Sequence, residues 1–540
     1  MSKRGKIFLI SFILLVISVL SVSTLVLPFP KEEFSDGFSA LRVSKDIEYI
    51  SKEPHSIEHY LERERVRSYL AARLQKIGYI TEVEYYDTIG NVYAKLPPIS
   101  NKTDDVQYVL LMAHLDSRYA LNVNGKIHYS RGAADDGYGL GVILELANNL
   151  LGFREEWVQG VKIIFTDAEE TNLGGIKMAM SERSDFFSDV GLIINVEARG
   201  VRGPALLFES SPKNDRLINL YSNAKYPYGY SLTSFVYNIL PNYTDFSLIK
   251  EKFSGLNFAV IDNLDYYHTE FDNFNNISLN SIQHYGEQLL PILNSYLTDN
   301  RYSDNQFLKG ETDSVYFTIP FLGIVIFTTT GFLTLFVLII LMLLANIVYL
   351  FVLRKISLIR VLKCLLVLLL ILTIVGVGSY FGSRILAVLN GVSYKFIGLA
   401  HLKYDVLYST SLLIITIVLI ISIYNYLRFK GFFKLSEFAI AAEVLLASLS
   451  IISYLIAGEN FFVLLPLIFS MISRTVSTYK TGWILVTLFA SITVFTIVPF
   501  IYALYIALFT GALAVPLILV SIMLFVLIPA IDSVTTKLAL

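Results

Sequence analysis

The sequence predicts an α/β domain, a mostly parallel sheet flanked by helices, followed by a multi-span α-helical transmembrane domain. Three observations carry this expectation. Of 540 residues, 54% are hydrophobic and 16% charged, against about 45–50% and about 25% in an ordinary soluble chain. The apolar excess is concentrated at 7–30 and again from about 315 onward, with a stretch of ordinary polarity between. Within that stretch short apolar runs alternate with helical patterns, as they do where strands of a parallel sheet are buried on both faces. The same composition excludes a purely soluble chain and a disordered one. A net charge of −2 gives no overall basicity for nucleic acid. With one cysteine, Cys364, an intrachain disulfide, a CxxC redox centre and a Cys-based zinc site are ruled out, so any metal falls to histidines and carboxylates.

Residues 1–30 open with Lys3, Arg4 and Lys6 and continue as an apolar run. That run exceeds the roughly 7–15 residues of a signal-peptide core and no A-x-A site follows, so an uncleaved transmembrane signal anchor is expected. Residues 31–314 form the α/β domain. It starts with a charged helical stretch over 45–77 that ends at Gly78. Strand-like runs follow at 108–113, 161–167, 191–198, 204–210 and 256–262, with helices from about 138 and 174 and a last one near 279–298. Residues 315–540 carry about seven spans, near 331–353, 359–382, 406–427, 436–457, 460–473, 482–505 and 511–531, the fifth of them short. The segment 315–329 is apolar but β-rich, and reads as a surface or re-entrant element.

Charge sets the expected topology. Lys3, Arg4 and Lys6 favour a cytoplasmic N-terminus, which puts the α/β domain outside the cytoplasm. Arg354, Lys355 and Arg360, then Arg428, Lys430 and Lys434, then Arg474 and Lys480 fall in the cytoplasmic loops, and the C-terminus returns to that side. The outside loop 383–405, with Arg384, Lys395 and Lys403, runs against the pattern. Sequons at Asn101, Asn242 and Asn276 all lie in the external domain.

Five stretches place acids and histidines where strands end: MAHLDS with His114 and Asp116, RGAADDGYG with Asp135 and Asp136, FTDAEETNLGG with Glu169 and Glu170, INVEARG with Glu197, and DYYHTEFDN with His268. Each alone has an ordinary reading: a strand-end histidine is usually a hydrogen-bonded imidazole, an Asp-Asp-Gly a turn, and an acidic run after a strand a solvated helix start. Together they follow consecutive α/β elements, where ligands of such sheets sit. Two histidines and three carboxylates meet the needs of two zinc ions that share one carboxylate. One adjacent carboxylate is left over to serve as a base.

These five ordered motifs, with EPHSIEHYLERERVRSYLAARLQKIG and NVYAKLP before them and TDFSLIKEKFSGLNFAVIDNLDYYHTEFDN at the end, resemble the co-catalytic dizinc aminopeptidase family over residues 40–300. The anchor before and the spans after resemble its membrane branch, the vacuolar membrane proteases and endoplasmic reticulum metallopeptidases. The resemblance implies a membrane-bound zinc metallopeptidase, of exopeptidase type, that hydrolyses peptide substrates. It implies two Zn2+ per chain, held by His114, Asp135, Glu170, Glu197 and His268, with Asp135 shared and a cis peptide before Asp136. The catalytic roles it implies are Glu169 as general base and Asp116 as the residue that orients His114. Glu197 departs from most soluble relatives, which have Asp there. Two alternatives share the fold: a catalytically inactive peptide-binding or assembly module, and a single-zinc acyl transferase like glutaminyl cyclase. A transporter whose peptidase domain is an accessory is a further reading.

Tyr266, Tyr267 and Phe246 are candidates for a substrate side-chain pocket, and equally for packing. Glu443, inside the span 436–457, is expected either to pair with Tyr or Ser on a neighbouring helix or to line a polar cavity. Glu437, near the end of that span, is expected at the interface.

Overall fold

The first apolar run forms helix α1 (Lys3–Ser21). Two helices, α2 (Ala40–Ile50) and α3 (Tyr60–Ile77), replace the single helical stretch expected over 45–77. Pro54 lies between them, and a proline disfavours helical backbone at the residue before it. α3 stops at Gly78, whose φ of +112° lets its N–H reach back to Leu74 and Gln75. Then come β1 (Ile80–Tyr86), β2 (Ile89–Leu96), β3 (Tyr108–His114), the hairpin β4 (Leu121–Val123) and β5 (Lys126–His128), α4 (Gly137–Leu150), β6 (Gly160–Thr166), α5 (Gly174–Glu182), α6 (Ser184–Phe187), β7 (Val190–Ala198) and β8 (Leu206–Ser210). α7 (Asp215–Tyr221), α8 (Ser231–Ile239), α9 (Asp245–Ile249), β9 (Gly255–Val260) and α10 (Leu279–Thr298) complete the main domain. The β-rich segment after it is an antiparallel hairpin, β10 (Ser314–Ile319) with β11 (Gly323–Thr328).

This computed structural model describes residues 3–22, 27–99, 106–123, 125–240, 242–320, 322–397, 399, 402–477, 479 and 481–534. The sequon Asn101 and the loop residue Lys480 lie outside them. The chain separates into two compact units: Thr24–Thr329, and Met1–Ser23 with Thr330–Leu540.

In the first unit seven strands lie in the order β1-β2-β6-β3-β7-β9-β8. The expected parallel arrangement holds for the four central strands β6, β3, β7 and β9. The margins differ: β1 and β2 form an antiparallel hairpin that pairs antiparallel with β6, and β8 runs antiparallel to β9. Side chains alternate between two cores, as the pleat requires. Val109, Leu111 and Ala113 of β3 join the larger core with α2, α3, α4 and α10. Leu110 and Met112 turn to the smaller one with Ile176, Phe186, Phe246 and Ile249. The parallel strands end at one edge of the sheet, and this common edge positions the site.

In the second unit α1 is joined by α11 (Thr329–Val352), α12 (Leu358–Leu389), α13 (Asp405–Phe429), α14 (Leu435–Ala457), α15 (Phe461–Val476), α16 (Gly482–Leu508) and α17 (Ala514–Ser533). Among the described residues six helices, α11–α14, α16 and α17, are long and apolar enough to cross a membrane, whereas α15 has 16 residues. α12 runs seven residues beyond its expected end and takes Arg384 into the helix. Cys364 is buried in this unit, so it packs rather than faces lipid.

For the acids of α14, the expected pairing of Glu443 with a serine on a neighbouring helix holds, whereas the open cavity and the interfacial Glu437 need correction. Glu443 is fully buried and bonded to Arg474 on α15, with Nη2 to Oε2 at 2.8 Å and Nε to Oε1 at 3.2 Å; the Ser470 hydroxyl donates to Oε1 at 3.1 Å. Arg474 also donates to Asn346 Oδ1 on α11 at 2.6 Å. Glu443 therefore sits in an ion pair and not in an open cavity, and Arg474 is not a free loop charge. Glu437 is fully buried and accepts the N–H groups of Ser357 (3.0 Å) and Lys434 (2.8 Å), which joins the starts of α12 and α14.

Candidate metal centre

Three strand ends, the turn into α4 and one loop bring the five motifs together. His114 is the last residue of β3, and Asp116 follows two residues on. Asp135 and Asp136 form the turn into α4, joined by a cis peptide bond. Asp136 caps that helix by accepting the Gly139 N–H at 3.0 Å, and it also accepts the His114 N–H at 3.2 Å. Glu169 and Glu170 follow β6 through Ala168, which adopts a left-handed backbone at φ +55°. Glu197 is the penultimate residue of β7. His268 lies in the loop after β9, with φ +61°.

Asp135 stands at the centre. Its Oδ1 lies 3.2 Å from His114 Nε2, and its Oδ2 lies 3.2 Å from His268 Nε2. Glu197 Oε2 approaches His114 Nε2 at 3.6 Å, and Glu170 Oε1 approaches His268 Nε2 at 2.9 Å. The donors thus fall into two groups that share Asp135: His114, Asp135 and Glu197, and Asp135, Glu170 and His268, each with its ligand atoms within 4.8 Å of one another. Asp135 Oδ2, Glu170 Oε1 and His268 Nε2 are buried and none has a hydrogen-bond partner despite these close approaches. Buried polar atoms are ordinarily satisfied. Three converging donors without hydrogen-bond geometry fit a cation that all three would face, and oxygen with imidazole nitrogen suits zinc.

Charge points the same way. Burial pushes Glu197 up to about 8, with Asp135 and Asp245 adding to the rise. Burial, then the charges of Glu197 and Glu170, hold Glu169 well above the usual carboxylate range. Asp136 is likewise raised by burial and by Glu197. His268 is pulled down by burial, but Glu170 and Asp135 outweigh this and leave it at about 8. Asp135 is pushed up by burial and then drawn below the normal range by both imidazoles. Buried carboxylates outnumber buried cations here, and a divalent ion would offset that excess.

The surroundings hold these groups in place. The Asp116 carbonyl accepts from His114 Nδ1 at 2.9 Å, whereas its carboxylate accepts the N–H groups of Glu169 (3.0 Å) and Glu170 (3.3 Å). Asp116 therefore orients His114 through its backbone and fixes the two glutamates through its side chain. Sequence reasoning missed two further residues. Arg118 donates to Glu170 Oε2 at 2.7 Å. Asp272 accepts from the Ala134 N–H at 2.7 Å, the Ser130 hydroxyl at 2.9 Å and the Asp135 N–H at 3.4 Å. A cation two residues after Asp116, and an acid four after His268, were the available signals. Of the aromatic candidates, Tyr267 stacks on His268 at 3.6 Å between ring centroids. Tyr266 packs against the larger core and Phe271, and Phe246 is fully buried in the smaller core.

The chain is similar to known proteins over the same region. The family model "Peptidase family M28" matches residues 91–293. Endoplasmic reticulum metallopeptidase 1 of Rattus norvegicus is 32% identical over 233 residues, 42% of this chain and 24% of that protein. The vacuolar membrane protease of Schizosaccharomyces pombe is 26% identical over 298 residues, 50% of this chain and 33% of that one. This chain thus spans between a quarter and a third of the length of these relatives. Among solved structures, an aminopeptidase from Aneurinibacillus has a TM-score of 0.39 at 14% identity, covering 48% of this chain and 94% of its own. The glutaminyl cyclase of Porphyromonas gingivalis has a TM-score of 0.38 at 19% identity, covering 49% and 100%. Residues 91–293, which the model of peptidase family M28 matches, contain the whole cluster around Asp135.

Proposed function

We propose that the chain is a membrane-bound zinc metallopeptidase, an exopeptidase of aminopeptidase type. The observation that carries this reading is the shared Asp135, whose two oxygens face different histidines at 3.2 Å each. His114, Asp135 and Glu197 would hold one zinc, and Asp135, Glu170 and His268 a second. When bound, such a pair polarises a scissile carbonyl and acidifies a water.

The chain's own residues supply the rest. The Glu169 carboxylate takes a proton from the attacking water and hands it to the leaving amine nitrogen. Burial raises its pKa above the usual carboxylate range, the direction expected of a proton-transfer carboxylate. Asp116 holds the base, its neighbour Glu170 and the His114 ring in one frame. Arg118 takes up Glu170 Oε2, which leaves Oε1 towards His268. No side-chain nucleophile is required. The family match and the name of the rat relative support peptide-bond hydrolysis, and the exopeptidase preference rests on the family resemblance alone. We assign residues 1–30 to a membrane anchor, 31–314 to an extracytoplasmic peptidase domain and 315–540 to the membrane domain, with both termini cytoplasmic, from the Lys/Arg bias.

Full-length protein in detergent should release the first residue from unblocked aminoacyl and dipeptide substrates, lose that activity on chelation and regain it with zinc. Undiminished hydrolysis by metal-free protein would overturn the reading. Cyclisation of N-terminal glutamine without hydrolysis, at about one zinc per chain, would select the acyl transferase.

A further inference from the structure

Glu197 is held by more than its expected neighbours. Its Oε2 faces His114, while its Oε1 accepts a hydrogen bond from Asn195 Nδ2 at 3.2 Å. Asn195 precedes it by two residues on β7, and so projects from the same face of the strand. The same Nδ2 donates to Asn257 Oδ1 at 3.0 Å, and Asn257 Nδ2 donates to Glu209 Oε2 at 3.0 Å and Thr244 Oγ1 at 2.9 Å. Glu209 Oε1 then accepts from Lys250 Nζ at 2.7 Å, and Lys250 also reaches Asn238 Oδ1 at 2.7 Å. Asn195 pairs in register with Asn257, and Asn257 with Glu209, so the three form a polar ladder across β7, β9 and β8. Asn195, Asn257 and Glu209 are essentially without solvent exposure.

The ladder has a direction. Both Glu209 oxygens accept, one from Lys250 and one from Asn257, which sets Asn257 with its NH2 outward and its carbonyl towards Asn195. That carbonyl in turn requires the NH2 of Asn195, and the second N–H of that group falls on Glu197. Lys250 pairs with Glu209 at the far end, where a buried carboxylate without a cation would be costly. The sense of every bond is therefore set by an ion pair three residues away from the metal centre. The longer arm of Glu197 is the feature that needs such support, because an extra methylene lets either oxygen turn towards His114.

We propose that Asn195, Asn257 and the Glu209–Lys250 pair act as a positioning relay that occupies Glu197 Oε1 and leaves Oε2 alone for metal. The proposal rests on the assignment of Glu197 as a ligand. Outer partners of metal ligands typically matter by about 10–100-fold in metal affinity.

The test is a zinc titration of the full-length protein against a competing chromophoric chelator, for the wild type, Glu209→Gln, Asn195→Asp and Lys250→Met. One of two zinc-binding steps should weaken by about 10–100-fold in Glu209→Gln and Asn195→Asp and less in Lys250→Met, with the other step unchanged. A role in folding alone would lower the unfolding temperature of metal-free protein and leave both zinc steps as they are. If Glu209→Gln fails to fold, Lys250→Met, altered at the margin of the ladder, decides the question by the same readout. Two unchanged steps in the folded variants overturn the relay and spare the metallopeptidase reading, whereas a wild type that binds no zinc overturns both.

Discussion

Glu169 and Glu170 are adjacent in sequence and differ in surroundings. Glu170 is tied by Arg118 and turned towards His268, while burial and the charges of Glu197 and Glu170 hold Glu169 well above the usual range. Glu169→Gln should keep its metal and lose about 10²–10⁴ in kcat, measured by steady-state hydrolysis beside metal analysis; near-normal turnover would remove Glu169 from the mechanism. Arg118→Met should weaken metal binding by about 10–100-fold through the freed Glu170 arm, and an unchanged zinc affinity would make that ion pair incidental. His114, Glu169, Glu170 and Glu197 were legible in the sequence because each ends or closely follows a buried apolar run that stops in charge. Asp272 and the Asn195 ladder were not, since the first depends on which loops meet and the second on which strands lie side by side. β8 and β9 pair across an insertion of three helices, and no local pattern announces that pairing. Asn195 did leave a trace: an amide inside an otherwise apolar strand needs a partner.

Among elements, the central strands read clearly because burial on both faces makes them continuous apolar runs. The antiparallel margins read less well, since direction is set by partners and not by composition. The break between α2 and α3 had a local cause in Pro54, while the pairing of α14 with α15 had none visible in either helix alone. Glu443 and Arg474 lie 31 positions apart and meet only once the helices pack. Removing one partner of a buried ion pair typically costs about 3–5 kcal/mol. Glu443→Gln and Arg474→Gln should each lower the unfolding temperature of the solubilised protein, and the double variant should lose less than the sum. Additive losses, or single variants that unfold at the wild-type temperature, would show that the pair contributes nothing to the bundle.

At the scale of the molecule, the loops expected on the cytoplasmic side keep Arg354, Lys355 and Lys430 after Arg474 and Arg428 are assigned to ion pairs within the helices. Reporter fusions at residues 300 and 430 should therefore fall on opposite sides of the membrane; the same side for both would refute the topology. The charge bias was open to sequence reading because it is a count, whereas the partners of individual charges were not. What binds the account together is the proposed metal centre around Asp135, and zinc content of the purified full-length protein tests it most directly. The account predicts about two zinc per chain, with Asp135→Ala losing both because it belongs to each group. A wild type that remains free of zinc after dialysis against excess metal, or an Asp135→Ala variant that retains both ions, would contradict it.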